Sequence, residues 1–148
     1  MIRGEIYLQR RLNSVAALLV VSNNACNRYS EKVTCVPIAR TVNRNMPTHV
    51  VIPRGSFSGN IVENSIALCE KVQMINKSAL EGPVARIDDP DCMRAINHAL
   101  QVQIGVFEAY EQPCHFYAQE VSFVKPNDVR PLEMPANAFP ADSESESW

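Results

Sequence analysis

Between Glu5 and Ile87 polar turns cut the chain into short apolar-rich segments, and that segmentation leaves few folds open. Glu5–Leu8 alternates, with Ile6 and Leu8 on one side and Glu5 and Tyr7 on the other. Val15–Val21 is a continuous apolar run bounded by Asn13-Ser14 and Ser22-Asn23-Asn24, as expected of a strand buried on both faces. Lys32–Ile38 sets Val33, Cys35 and Pro37 against Thr34, Val36 and Ile38. His49–Ile52, a long bent Ser65–Ile75 and a short Val84–Ile87 complete the expected strands. The stretches 23–30, 40–45 and 55–59 read as polar turns. Many short strands joined this way predict a closed or nearly closed β-barrel rather than a parallel sheet.

One helix is expected after Asp88-Asp89. Either aspartate can cap the first turn, and Pro90 fits there because its missing N–H is not needed. Met93, Ile96, Leu100 and Ile104 form an apolar stripe that would pack on the barrel, and Gly105 is a natural stop. The fold class is therefore mainly β with helices (α+β). Residues 1–105 read as a compact domain and 106–148 as an extension. Val106–Tyr110 can prolong the helix and Phe116–Val124 can form a strand. Four prolines between Lys125 and Pro140 exclude long regular structure, and the serine-acid alternation of Asp142–Trp148 predicts a disordered acidic tail.

Bulk properties narrow the function. The chain has 148 residues, 46% of them hydrophobic and 20% charged, enough to bury a core without disulfides or metal. A formal net charge of -2 gives no global field for nucleic acid, so any such site must be a local patch. The longest apolar run is too short to span a bilayer, and the N-terminus lacks the pattern of a secretory signal, so a cytoplasmic location is expected. Cys26, Cys35, Cys69, Cys92 and Cys114 are irregularly spaced without a C-x-x-C, which argues for reduced thiols and against a zinc site. No cofactor is expected.

Several ordered blocks resemble the PemK/MazF family of toxin-type RNA-cleaving proteins. Arg3-Gly4-Glu5-Ile6-Tyr7 is similar to its opening strand, and Leu19–Asn23 to its second strand and turn. Val36-Pro37-Ile38 is similar to the end of its third strand, and Pro47-Thr48-His49-Val50 to its Pro-Thr-His-Val. Ser65-Ile66-Ala67-Leu68-Cys69-Glu70, followed by Ile75-Asn76-Lys77-Ser78, carries the strongest likeness. The resemblance covers roughly residues 1–105. It implies a small SH3-like β-barrel with a C-terminal packed helix, a homodimer, an antitoxin-like protein partner, and metal-independent cleavage of single-stranded RNA.

The same resemblance exposes departures. Where the family has Arg-Pro before the second strand, this chain has Ala16-Ala17, and where the third strand ends in threonine it has Ala39. The family's long gating loop is reduced to residues 9–14, and its Glu-Gln-Ile-Arg step becomes Glu70-Lys71-Val72-Gln73. Phosphodiester cleavage through a 2′-hydroxyl needs proton-transfer groups and donors aimed at developing charge, and alanine supplies neither. Arg11, Arg40 and Thr41 are the residues that can form a relocated catalytic set. Arg10, Arg11, Arg40, Lys71 and Gln73 are the candidate RNA contacts. Against this, Arg10, Arg11, Arg40 and Arg44 also read as solvated loop charges.

His49 reads as structural and His98 as an edge residue of the helix. Cys114 and His115 make a poor dyad, because neighbours on a strand point to opposite faces. By the same rule Glu70 and Lys71 are not expected to pair with each other, and Glu70 reads as a structural or interface acid. Two functions stay open: an active ribonuclease toxin with relocated groups, or a barrel that binds RNA or a protein with weak or lost cleavage.

Overall fold

The computed structural model describes residues 1–106 except Asn43, Asn45 and Val62. The proposed helix extension 106–110, the strand 116–124, the Cys114–His115 pair and the acidic tail fall outside the described residues, Val106 excepted.

The strands are β1 (Glu5–Arg11), β2 (Ser14–Val20), β3 (Lys32–Ala39), β4 (His49–Ile52), β5 (Phe57–Gly59), β6 (Ser65–Leu68), β7 (Gln73–Asn76) and β8 (Glu81–Ile87). Two helices join them, α1 (Asn24–Tyr29) and α2 (Pro90–Gln103). All pairings are antiparallel, in the order β4-β6-β3-β2-β1-β8-β5, with β7 also paired to β3. The sheet curls into a half-barrel. Among the described residues its edge strands β4 and β5 do not pair, so the expected closure is incomplete.

Alternation along the central strands sorts side chains to two faces. Inward go Ile6 and Leu8 from β1, Ala17 and Leu19 from β2, and Val36 and Ile38 from β3. They meet Cys92, Ile96 and Ala99 of α2, which plugs the open interior. Outward go Tyr7, Leu18, Val20, Val33 and Cys35, which cluster with Ile75 of β7, the cross-strand neighbour of Val33. A third patch, Ala39, Val42, Ile66 and Leu68, lies at the other end of that outer face.

Asp89 caps α2, accepting from the Asp91 amide at 2.8 Å, and its other oxygen accepts from the Ser56 hydroxyl at 2.9 Å. The Ser56 hydrogen bond is the main reason the Asp89 carboxyl sits below its ordinary pKa. The expected apolar stripe packs on the core at Met93, Ile96 and Leu100 and fails only at its end. Cys92, Ile96 and Ala99 are buried, whereas Ile104 is 71% exposed, because the helix stops at Gln103 and Gly105 turns away with φ +76°. β5 approaches β8 closely at Gly59, where an added Cβ would stand 2.6 Å from the Val84 carbonyl oxygen.

Four local expectations are corrected. β1 and β2 run on to Arg11 and back from Ser14, so Arg10 and Arg11 are strand residues and only Leu12-Asn13 connects the hairpin. The stretch 23–30 is not a plain turn but holds α1, whose cap is Asn23 accepting from the Cys26 amide at 2.8 Å. Residues 57–59, expected as turn, form β5. Ser65–Ile75 is not one bent strand: a 3-10 turn at Cys69–Lys71 separates β6 from β7. Glu70 and Lys71 therefore sit on that turn rather than in a strand.

Candidate nucleic-acid groove

A groove of about 510 Å³ lies on the outer face of β2 and β3, between the patch under β7 and the patch around Ala39. Its floor comes from Ala16, Pro37 and Ala39, and its walls from Arg11, Ser14, Leu68, Lys71, Val72 and Gln73. The register explains the floor. Ala17 pairs with Ile38 and Leu18 with Pro37, so the next step brings Ala16 opposite Ala39. Two of the positions that differ from the family pattern, Ala16 and Ala39, thus line one concavity.

Arg11 reaches the groove because it is an outward position of β1, with Ser14 as its cross-strand partner. Its guanidinium donates to the Gln9 side-chain oxygen at 3.3 and 3.2 Å and stays exposed. Arg10, one residue earlier, points to the other face and pairs with Glu81 at 2.7 Å. Arg40 forms an ion pair with Glu63. Neither Arg10, Arg40 nor Thr41 is among the described residues that line the groove, so Arg11, Arg40 and Thr41 are not gathered there. Lys71 and Gln73 do line it, the first from the 3-10 turn and the second from β7 opposite Cys35. Arg44 and His98 are exposed elsewhere.

The turn that carries Lys71 is held by a polar cluster. His49, buried on β4, places Nε2 3.1 Å from Glu70 Oε1, and the Thr48 hydroxyl donates to Glu70 Oε2 at 3.3 Å. The Thr48 carbonyl also accepts from the Cys69 amide at 3.0 Å. These contacts give His49 and Glu70 the structural role expected of them. Sequence reasoning missed Ser14 and Val72 as groove residues. A hairpin register through Leu12-Asn13 would have revealed Ser14, but nothing in the local pattern announces the turn that lifts Val72.

The second concavity, about 670 Å³ beside α1, is lined by Met1, Ile2, Arg28, Tyr29 and Lys77 among others, and there Lys77 Nζ donates to the Asn27 carbonyl at 2.5 Å. Among the described residues Cys26, Cys35, Cys69 and Cys92 form no disulfide, and no cluster of three His, Cys, Asp or Glu could hold a metal. Burial pushes the Cys35 thiol up to about 11, so it is a core residue rather than a nucleophile. No helix among the described residues is long and apolar enough to cross a membrane.

A curled antiparallel half-barrel with a C-terminal helix plug is the fold of small toxins from toxin–antitoxin pairs. Residues 3–104 match the PemK-like, MazF-like toxin of type II toxin-antitoxin system, and the chain belongs to that family. An endoribonuclease from a mycobacterial species, solved in complex with its cognate antitoxin, is 26% identical with a TM-score of 0.61. That match covers 72% of this chain and 97% of the other. A second mycobacterial endoribonuclease is 27% identical at TM-score 0.59, covering 71% of this chain and 91% of that one. The MazE–MazF complex of Deinococcus radiodurans shares the fold at 15% identity and TM-score 0.58, with 71% and 95% covered. No curated protein matches the chain.

Proposed function

We infer that this chain is a cytoplasmic toxin-family protein whose groove binds single-stranded RNA, with cleavage weak or lost. The observation that carries the reading is the Ala16–Ala39 floor. In the family resemblance those positions hold the arginine and threonine of the cleavage chemistry, and here both are alanines lining one groove. What remains around them is a set for binding. Arg11 and Lys71 offer positive charge, Gln73 an amide, and Val72 and Leu68 apolar surface. Among the described lining residues there is no carboxylate or imidazole to take a proton from a 2′-hydroxyl. Kinship to toxins solved with antitoxins supports an antitoxin-like partner for this chain as well, and the family resemblance implies a homodimer.

The test compares binding with turnover. Fluorescence anisotropy on short unstructured RNA should show salt-sensitive binding by the wild type, with no cleavage over hours. Restoring Ala16→Arg with Ala39→Thr should raise cleavage by about 10²–10³, the scale of one recovered charge-stabilising group. Efficient sequence-specific cleavage by the wild type would overturn the reading. One observation favours the alternative of an active metal-independent endoribonuclease: Arg11 and Ser14 are neighbours at the groove's mouth. In that case cleavage by the wild type would disappear in Arg11→Ala.

A further inference from the structure

The net charge of -2 conceals a separation. Residues 107–148 hold eight acidic and two basic side chains, whereas residues 1–106 hold twelve basic and eight acidic. The folded part is thus formally +4 and the remainder -6. The groove and the segment Asp142–Trp148 are complementary in charge. The groove combines two cations, Arg11 and Lys71, with an apolar floor of Ala16, Pro37 and Ala39 and apolar walls at Leu68 and Val72. The segment reads Asp-Ser-Glu-Ser-Glu-Ser-Trp, three carboxylates at alternate positions followed by the only tryptophan of the chain. In extended backbone, alternate residues share one side, so Asp142, Glu144 and Glu146 present a single anionic edge.

We propose that Asp142–Trp148 of the same chain docks in the Arg11–Lys71 groove and competes there with RNA. The carboxylates take the two cations, and the indole covers the alanine floor. The groove's volume lies in the range that accepts a compact aromatic ligand. Reach does not limit this. The thirty-five residues between Val106 and Asp142 span on the order of 100 Å when extended, against a radius of gyration of about 13 Å for a domain this size. Being tethered, the segment acts at a high effective concentration without needing strong contacts. The docking itself requires only the groove; the competition rests on the RNA reading given above.

Trp148 reports on docking in the intact protein without RNA. In the wild type its emission should be blue-shifted and shielded from acrylamide. It should move to the red and become accessible in Arg11→Glu/Lys71→Glu, and also at 1 M salt, where charge interactions are screened beyond about 3 Å. Arg86→Glu, an exposed arginine of β8 away from the groove, should leave the emission unchanged. Far-ultraviolet circular dichroism confirms that each variant is folded. Equal exposure of Trp148 in wild type and double variant overturns the proposal. So does shielding that grows with protein concentration, which assigns the groove to another copy's tail. Asp142→Asn/Glu144→Gln/Glu146→Gln should then tighten RNA binding by roughly tenfold, as expected on removing a tethered competitor. If Trp148 is shielded by the groove yet RNA affinity does not change, docking stands and the RNA reading of the groove fails.

Discussion

The inner and outer faces of β2 and β3 are built from the same few residues and have opposite characters. Ala17, Leu19, Val36 and Ile38 turn inward, meet α2 and are buried. Ala16, Pro37 and Ala39 turn outward and leave a concavity edged by cations. Inside, small side chains are matched by a helix that fills the space they leave. Outside, nothing among the described residues fills it. The lesson is that smallness is a packing property on one face and a recognition property on the other.

Mutations can break or sharpen that contrast. The largest effect belongs to the inner face: Ile96→Ala should cost about 2–5 kcal/mol in urea unfolding, because the plug would leave a cavity. Next comes the polar cluster behind the groove. Glu70→Ala leaves buried His49 without its partner and should cost about 1–3 kcal/mol. It should also weaken RNA binding, since it frees the turn carrying Lys71; unchanged binding would mean that the turn holds itself. Asp89→Ala removes the α2 cap and should cost about 1 kcal/mol. Because folding lowers the Asp89 pKa, its contribution is present above the ordinary value of 3.8 and is lost as pH falls through the lower folded value. Asp89→Asn should remove that part of the acid-induced loss in a pH series of melts. Smallest in stability is the outer face. Lys71→Ala should stay within about 0.5 kcal/mol of wild type. Yet it should reduce the salt slope of RNA binding by about 0.7, the share of one phosphate contact on a single strand.

The strand content was legible because burial enforces periodicity. Val15–Val21 had to be a strand near the core, and β2 lies there. The capped helix was equally plain from Asp89-Pro90. The errors fall where local pattern and tertiary contact part company. Residues 23–30 look like a turn because α1 buries only Asn27 and carries no apolar stripe. Ser65–Ile75 keeps its alternation of residue types through Cys69–Lys71, although the backbone leaves the sheet there to bond with Thr48. Arg10 and Arg11 look like loop residues in the sequence, and only the hairpin register separates them, one toward Glu81 and the other into the groove. The significance of Ala16 and Ala39 comes from resemblance and their proximity from register; periodicity by itself assigns two alanines no meaning.

β3 borders both β6 and β7 along a single edge, the first through Ile38 and Ala39 and the second through Lys32 to Cys35. The chain bridges those two ladders by the short detour that lifts Lys71 and Val72 over the groove. Lys71 and Val72 are exposed and answer to no strand partner, so evolution can swap them while Cys69, Glu70 and the flanking registers stay fixed. Ligand preference in such a barrel can therefore drift at the detour alone, one residue at a time, without the core ever being renegotiated.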